Sequence, residues 1–262
     1  ALKATSNGIG ALVFFFLILW GYNYQRTPIF QQLSLKPKSL NLEQLEAEVK
    51  ITHRLVEQYR KRVKTDTLAI TEIIDYSDLE NLVRANMSEN MEILGLNFTG
   101  RPRTKQFPPP GFMRKMGILG IYFPFTGESY IDPTLHPLEQ PFTIAHEMAH
   151  SYGVTDEGEA NFIAWVICAN SEDPLLRYSG HLRLLQYQMR DYYRMAPEDF
   201  KDWFNTLYYN GNSNEGIFEL QFSQQRLNPF FNIFSSSISA RRWTATAELM
   251  DRVFTVDFTN DQ

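Results

Sequence analysis

The sequence predicts an α+β chain, mostly helical, with a small sheet and an N-terminal transmembrane helix. Three observations carry that reading. Apolar residues recur at helical spacing in several long segments, two short β-rich runs flank the turn PFTG, and an uncharged apolar block opens the chain.

The opening block holds no charge between Lys3 and Arg26, and Gly8 to Tyr22 is almost wholly apolar. A membrane span needs about 20 such residues, and the uncharged flanks extend the block toward that length. Trp20, Tyr22 and Tyr24 cluster at one end, where amphipathic rings favour the headgroup region. A cleaved signal peptide is the rival, but the charged region before the block has only Lys3 and no small-x-small site follows Trp20. Residues 1–24 are therefore expected to be a retained anchor, truncated at its start. Residues 25–40, containing Gln, Ser, Lys and Pro, are expected to be a tether to one domain over 41–262.

That domain begins with a helix capped by Asn41, in which Leu42, Leu45, Val49, Thr52, Val56, Tyr59 and Val63 follow helical spacing. A second helix is expected from Ser77, with Glu80 in the capping-box position, toward Gly95. Residues 99–111 end in successive prolines, which deny both helix and ladder donors, and read as a loop. GILGIYF and SYID read as a strand pair around PFTG.

HEMAH, residues His146 to His150, lies in an apolar helical stretch with Pro141 in its first turn and Gly153 at its end. On a helix the two imidazoles stand one turn apart on one face, so both reach a single ion, and Glu147 lies beside a water on that ion. A catalytic zinc takes three protein ligands and leaves a position for water. The next helix, capped by Thr155 or Asp156, offers the third. Glu157 and Asn161 share one face of it, whereas Glu159 points nearly the opposite way, which favours Glu157 as ligand with Asn161 orienting a histidine. The bland readings are that His146 and His150 are hydrogen-bonded core histidines or hold a structural ion, but structural zinc sites usually close with cysteines, and Cys168 is the only one here.

Further on, LLRYSGH reads as a loop segment bearing Tyr178 and His181, two candidate donors to an oxyanion. Helices are expected from about Leu182 and near Pro197. QFSQQRLNPFFNIFSSSIS, with Phe230, Phe231 and Phe234, lacks periodicity, and TATAELMDRVFTV returns to a helical pattern.

HEMAH followed by a helix carrying Glu157, Ala160 and Asn161 is similar to the gluzincin metallopeptidases, in which a Glu one turn before an Asp or Asn supplies the third ligand. The longer string HEMAHSYGVTDEGEANFIAW, with GIYFPFTGESYID before it and LLRYSGH after it, resembles an uncharacterised bacterial membrane-anchored family carried as a domain of unknown function. The likeness covers about residues 11 to 200. It implies a zincin-like metallopeptidase core over 41–262, with His146, His150 and Glu157 as Zn2+ ligands, Glu147 as general base and Asn161 behind them. It also implies that an extended substrate lies along a sheet edge near Ile118 to Phe123, and that the domain is extracytoplasmic. Charge alone, Lys3 against Arg26, Lys36 and Lys38, weakly favours the inside. The same stretch also reads HExxHxxGxxD, a metzincin-like pattern in which Asp156 is the ligand, with Glu159 a third candidate.

The expected function is thus zinc-dependent hydrolysis of a peptide or protein substrate by a membrane-anchored enzyme. The alternatives are a tethered binding or scaffolding domain with a non-catalytic metal site, or a zinc amidase acting on cell-wall peptides. A net charge of −5 without a basic stripe excludes a nucleic-acid partner.

Overall fold

The computed structural model describes residues 2–37, 39–63, 70, 74–96, 99–209 and 243–244. The segment holding Phe230, Phe231 and Phe234, and the helical pattern beyond Thr244, lie outside the described residues.

Helix α1 (Leu2–Leu19) carries the apolar block and passes into a 3-10 turn at Gly21–Gln25. Among the described residues, no helix is long and apolar enough to cross a membrane. The run from Ile9 to Leu19 rises about 16 Å at 1.5 Å per residue. Its side chains are exposed, from Phe16 at 41% to Ile9 at 59%, which is the reverse of a helix built into a protein core.

The expected tether is packed structure. Helix α2 (Ile29–Gln32) and the residues after it bury Ile29, Leu33 and Leu35 in the main core. A tether reading rested on polar composition, and these three apolar side chains outweigh it by leaving water. Strand β1 (Lys36–Pro37) pairs antiparallel with β5 (Trp243–Thr244).

Helix α3 (Leu42–Val63) forms as its periodicity predicts, burying Leu45, Val49, Thr52, Val56 and Tyr59. Asn41 caps it reciprocally: its side chain accepts from the Gln44 amide at 2.8 Å, and the Gln44 side chain accepts from the Asn41 amide at 3.2 Å. Helix α4 (Tyr76–Ile93) starts earlier than Ser77, because Asp75 accepts the Ser77 amide at 2.8 Å. Glu80 is not part of a capping box. It is buried and accepts the Thr104 amide at 3.3 Å, tying α4 to the sheet.

That sheet has three strands in the order β2-β4-β3. The stretch expected to be loop contains β2 (Thr104–Gln106), parallel to β4 (Glu128–Ile131), and β3 (Gly120–Phe123) is antiparallel to β4. The prolines that argued for a loop fall after β2, so they cost the strand nothing. A short helix, α5 (Phe112–Lys115), connects β2 to β3.

Helix α6 (Gln140–Ser151) lies at the centre of the domain, in contact with all three strands and with α4, α7 and α8. Nine of its residues are buried, from Pro141 to His150, as suits an apolar helix with protein on every side. Helix α7 (Glu157–Ala169) packs on it, and α4, α6 and α7 share the main core. Helix α8 (Pro174–Met195) begins well before Leu182, because Asp173 caps it and Pro174 suits its first turn. It lies along α3, and with α9 (Pro197–Tyr209) encloses a second cluster around Leu45, Val49, Tyr178 and Leu185.

In that second cluster His181 stacks on Tyr59 with ring centroids 5.5 Å apart, and its Nδ1 is buried without a hydrogen-bond partner. Burial, aided by the nearby Arg177 charge, pushes its pKa down to about 4. The unfolded chain therefore binds a proton in the range where the folded chain does not, and stability falls as pH drops from about 6.5 to about 4. Denaturant unfolding at pH 7 and pH 4 should show this chain losing about 3 kcal/mol more than His181→Phe. Equal pH dependence of the two would refute the buried neutral imidazole.

Candidate metal centre

The centre is built on the turn that joins α6 to α7. His146 and His150 project from one face of α6, and their Nε2 atoms are 3.1 Å apart. Beyond Ser151 the chain reverses at Gly153, whose φ of 85° is readily available to glycine. A Cβ at Gly153 would also lie 2.3 Å from Arg26 Nη1. Asp156 then caps α7, accepting the Glu159 amide at 3.0 Å, which leaves Glu157 as the first helical residue. Its Oε2 lies 3.2 Å from His146 Nε2, and its Oε1 lies 3.4 Å from His150 Nε2.

His146, His150 and Glu157 could hold a metal ion, each offering one atom within 4.8 Å of the others. Ligand bonds to zinc of about 2.0–2.1 Å in a tetrahedron place ligand atoms about 3.3–3.4 Å apart. The two imidazole Nε2 atoms are 3.1 Å apart, and each lies 3.2 or 3.4 Å from a different Glu157 oxygen, spacings of the same order as that edge. Of the other acids considered, Asp156 serves as the α7 cap and Glu159 accepts the Phe30 amide at 3.3 Å.

The outer contacts suit ligation as well. His150 Nδ1 lies 2.7 Å from the Val154 carbonyl, which fixes a proton on Nδ1 and leaves the Nε2 lone pair for a metal. His146 Nδ1 is buried and has no hydrogen-bond partner among the described residues. Asn161 was expected to orient one of these rings, but its Oδ1 accepts from Tyr187 Oη at 3.0 Å instead. Val154, a backbone acceptor invisible to motif reading, takes that task for His150.

Electrostatics sharpen the picture. Burial holds the His146 pKa below its ordinary value against the pull of Glu157. At His150 burial works the same way, but the bond to Glu157 and the neighbouring carboxylates outweigh it and raise the pKa to about 9. Glu157 is driven well below the usual carboxylate range, since bonds from both histidines overcome its own desolvation. The cluster thus keeps a proton on His150 to balance carboxylate charge, a role a divalent cation can assume. The Glu157 side chain is 48% exposed, whereas those of His146 and His150 are 14% and 8% exposed, so solvent reaches the three atoms from the Glu157 side.

Glu147 is the fourth element, and burial pushes its carboxyl up to about 8. Two serines hold its backbone: Ser129 Oγ on β4 and Ser151 Oγ both donate to the Glu147 carbonyl, at 2.7 and 3.2 Å. Over its side chain lies Gly120 of β3, where a Cβ would stand 2.5 Å from Glu147 Oε1. Strand β3 is an edge of the three-stranded sheet, within the Ile118–Phe123 stretch expected to be one.

Tyr178 and His181 do not join this centre. Both are buried on α8 in the second cluster, so the loop that would have aimed them at an oxyanion is a helix facing α3. Trp20, which sequence reading assigned only to a membrane boundary, does approach it. Its ring centroid is 6.1 Å from that of His150 and 4.9 Å from that of Tyr122.

Two imidazoles from a central helix, a carboxylate from the next and a buried acid beside them make this a mostly helical α+β protein with a metal-binding type of site. The chain belongs to the family described as a protein of unknown function, DUF3810, whose model matches residues 1–237. No curated protein and no solved structure matches it.

The contact at Gly120 is testable. Gly120→Ala places a methyl group into the Glu147 carboxyl and should destabilise the fold by about 1–3 kcal/mol through overpacking. Thermal unfolding of the variant measures this, and an unchanged transition would show that β3 does not cover Glu147 so closely.

Proposed function

We propose that this chain is a membrane-anchored, zinc-dependent metallopeptidase of gluzincin type, with its catalytic domain on the extracytoplasmic side. The observation that carries the reading is that His146, His150 and Glu157 each offer a ligand atom within 4.8 Å of the others, with the buried Glu147 carboxyl close enough to His150 to interact with its charge.

A bound zinc ion supplies Lewis acidity, bringing the pKa of a water toward about 7 and polarising a carbonyl. Glu147 acts as the general base, taking the water's proton and passing it to the leaving amine. A cation beside Glu147 offsets the desolvation that disfavours its charged form. His150 holds its ring by the Val154 carbonyl, and Glu157 balances charge from the solvent side. The outer edge of β3, unpaired among the described residues, offers main-chain hydrogen bonds to an extended substrate, an affinity independent of side-chain identity.

Membrane attachment is supported by α1, whose apolar side chains are exposed on every face over Leu12–Leu19. Lipid is one of the two environments that suit a helix apolar on every side, a protein core being the other.

Metal analysis with paired variants tests the assignment. The purified chain should hold about one zinc per molecule, and His146→Ala should hold almost none. Glu147→Gln should retain the zinc and lose at least about a hundredfold in peptide hydrolysis. Full activity in Glu147→Gln removes it as the base, and zinc retained by His146→Ala removes the ligand set.

A further inference from the structure

The apolar helix and the metal centre are one side chain apart. Helix α1 ends at Leu19, and Trp20, the next residue, lies against His150 and Tyr122. The connection is also stiff. Arg26 Nη1 donates to the Tyr152 carbonyl at 2.5 Å, in the turn between the ligand-bearing helices. The Phe30 amide donates to Glu159 on α7, and Gly153 lies so close to Asn23 and Arg26 that a Cβ there would overlap both. Ile29, Leu33 and Leu35 then enter the core. Residues 20–35 therefore do not let the domain swing away from the end of α1.

The occupant of the surface around α1 follows from its shape. Leu12 to Leu19 span two helical turns and every side chain among them is at least 41% exposed, so the apolar surface runs round the whole circumference. A helix apolar on every side lies either inside a protein core or in lipid, and the aromatic residues at its end favour lipid. The aromatic residues at its end, Trp20, Tyr22 and Tyr24, mark the headgroup level, with Tyr22 and Tyr24 exposed at 73% and 65%.

We infer that the metal centre works at the bilayer surface, and that its substrate is the segment of a membrane-anchored polypeptide that emerges from the same bilayer. The inference rests on the hydrolytic reading above and narrows its substrate class. A chain fixed in the membrane arrives at the depth of Trp20 with its local concentration raised by confinement, whereas a free peptide must find a site flanked by lipid.

Trp20 reports on both neighbours at once. The full chain in phosphatidylcholine vesicles brominated just below the headgroups is compared with Trp20→Phe, and the fluorescence difference isolates Trp20. Bromines should quench most of that difference, and Co2+ added to the chain in unbrominated vesicles should quench it too, but not in His146→Ala. Quenching by Co2+ without quenching by bromine would put the centre away from the bilayer and overturn the inference while leaving the metal site intact. Quenching by bromine alone would remove the metal site, and the inference with it. In the same vesicles, a peptide carried on a transmembrane anchor should be cleaved at least tenfold faster than the same peptide free at equal concentration. Equal rates overturn the substrate assignment alone, and cleavage of neither overturns hydrolysis itself.

Discussion

The turn between α6 and α7 is the constraint on which the centre depends. Two histidines one turn apart can share an ion on any helix, but the third ligand arrives only if the next helix begins within a few ångströms of them. Gly153 reverses the chain in the left-handed region, Val154 turns its carbonyl to His150, and Asp156 ends the turn by capping α7. Each step uses up a polar group that would otherwise be buried unpaired. Glu157 is then the first residue past the cap, and its carboxylate falls between the two rings.

The rest of the domain serves to keep that turn still. On one side the sheet grips α6 through Ser129, whose hydroxyl meets both the Glu147 carbonyl and Ser151. On the other, the segment after α1 bonds to the turn through Arg26 and to α7 through Phe30. Helix α8 is joined to α7 by the Tyr187–Asn161 hydrogen bond, while its opposite face packs with α3. The domain thus combines a main apolar core shared by α4, α6 and α7, with the candidate metal ligands on α6 and α7, and a second apolar cluster between α3 and α8.

Much of this could be read from residue patterns, and the exceptions have particular causes. Helices α3, α6 and α7 and the β3–β4 hairpin were legible because periodicity and end signals agreed at each one. Asp75 and Asp173 were overlooked as caps, so α4 and α8 were placed too late. Strand β2 was hidden by the prolines that follow it, and its stability comes from parallel pairing with β4, more than twenty positions away. Tyr178 and His181 looked available only because the start of α8 was missed; once helical, they fall on the face buried against α3. Residues 25–40 looked like a tether since three apolar anchors do not stand out in a polar stretch.

By itself the sequence determined the residue types that can bind a metal, their spacing on α6, and the apolar character of α1, because these are local properties of helical geometry and composition. Tertiary structure decided which acid joins the histidines, which group orients His150, what covers Glu147 and how near Trp20 comes to the centre. Those outcomes depend on contacts between segments remote in the chain, or on backbone groups that every residue carries, and neither leaves a mark in a one-dimensional pattern.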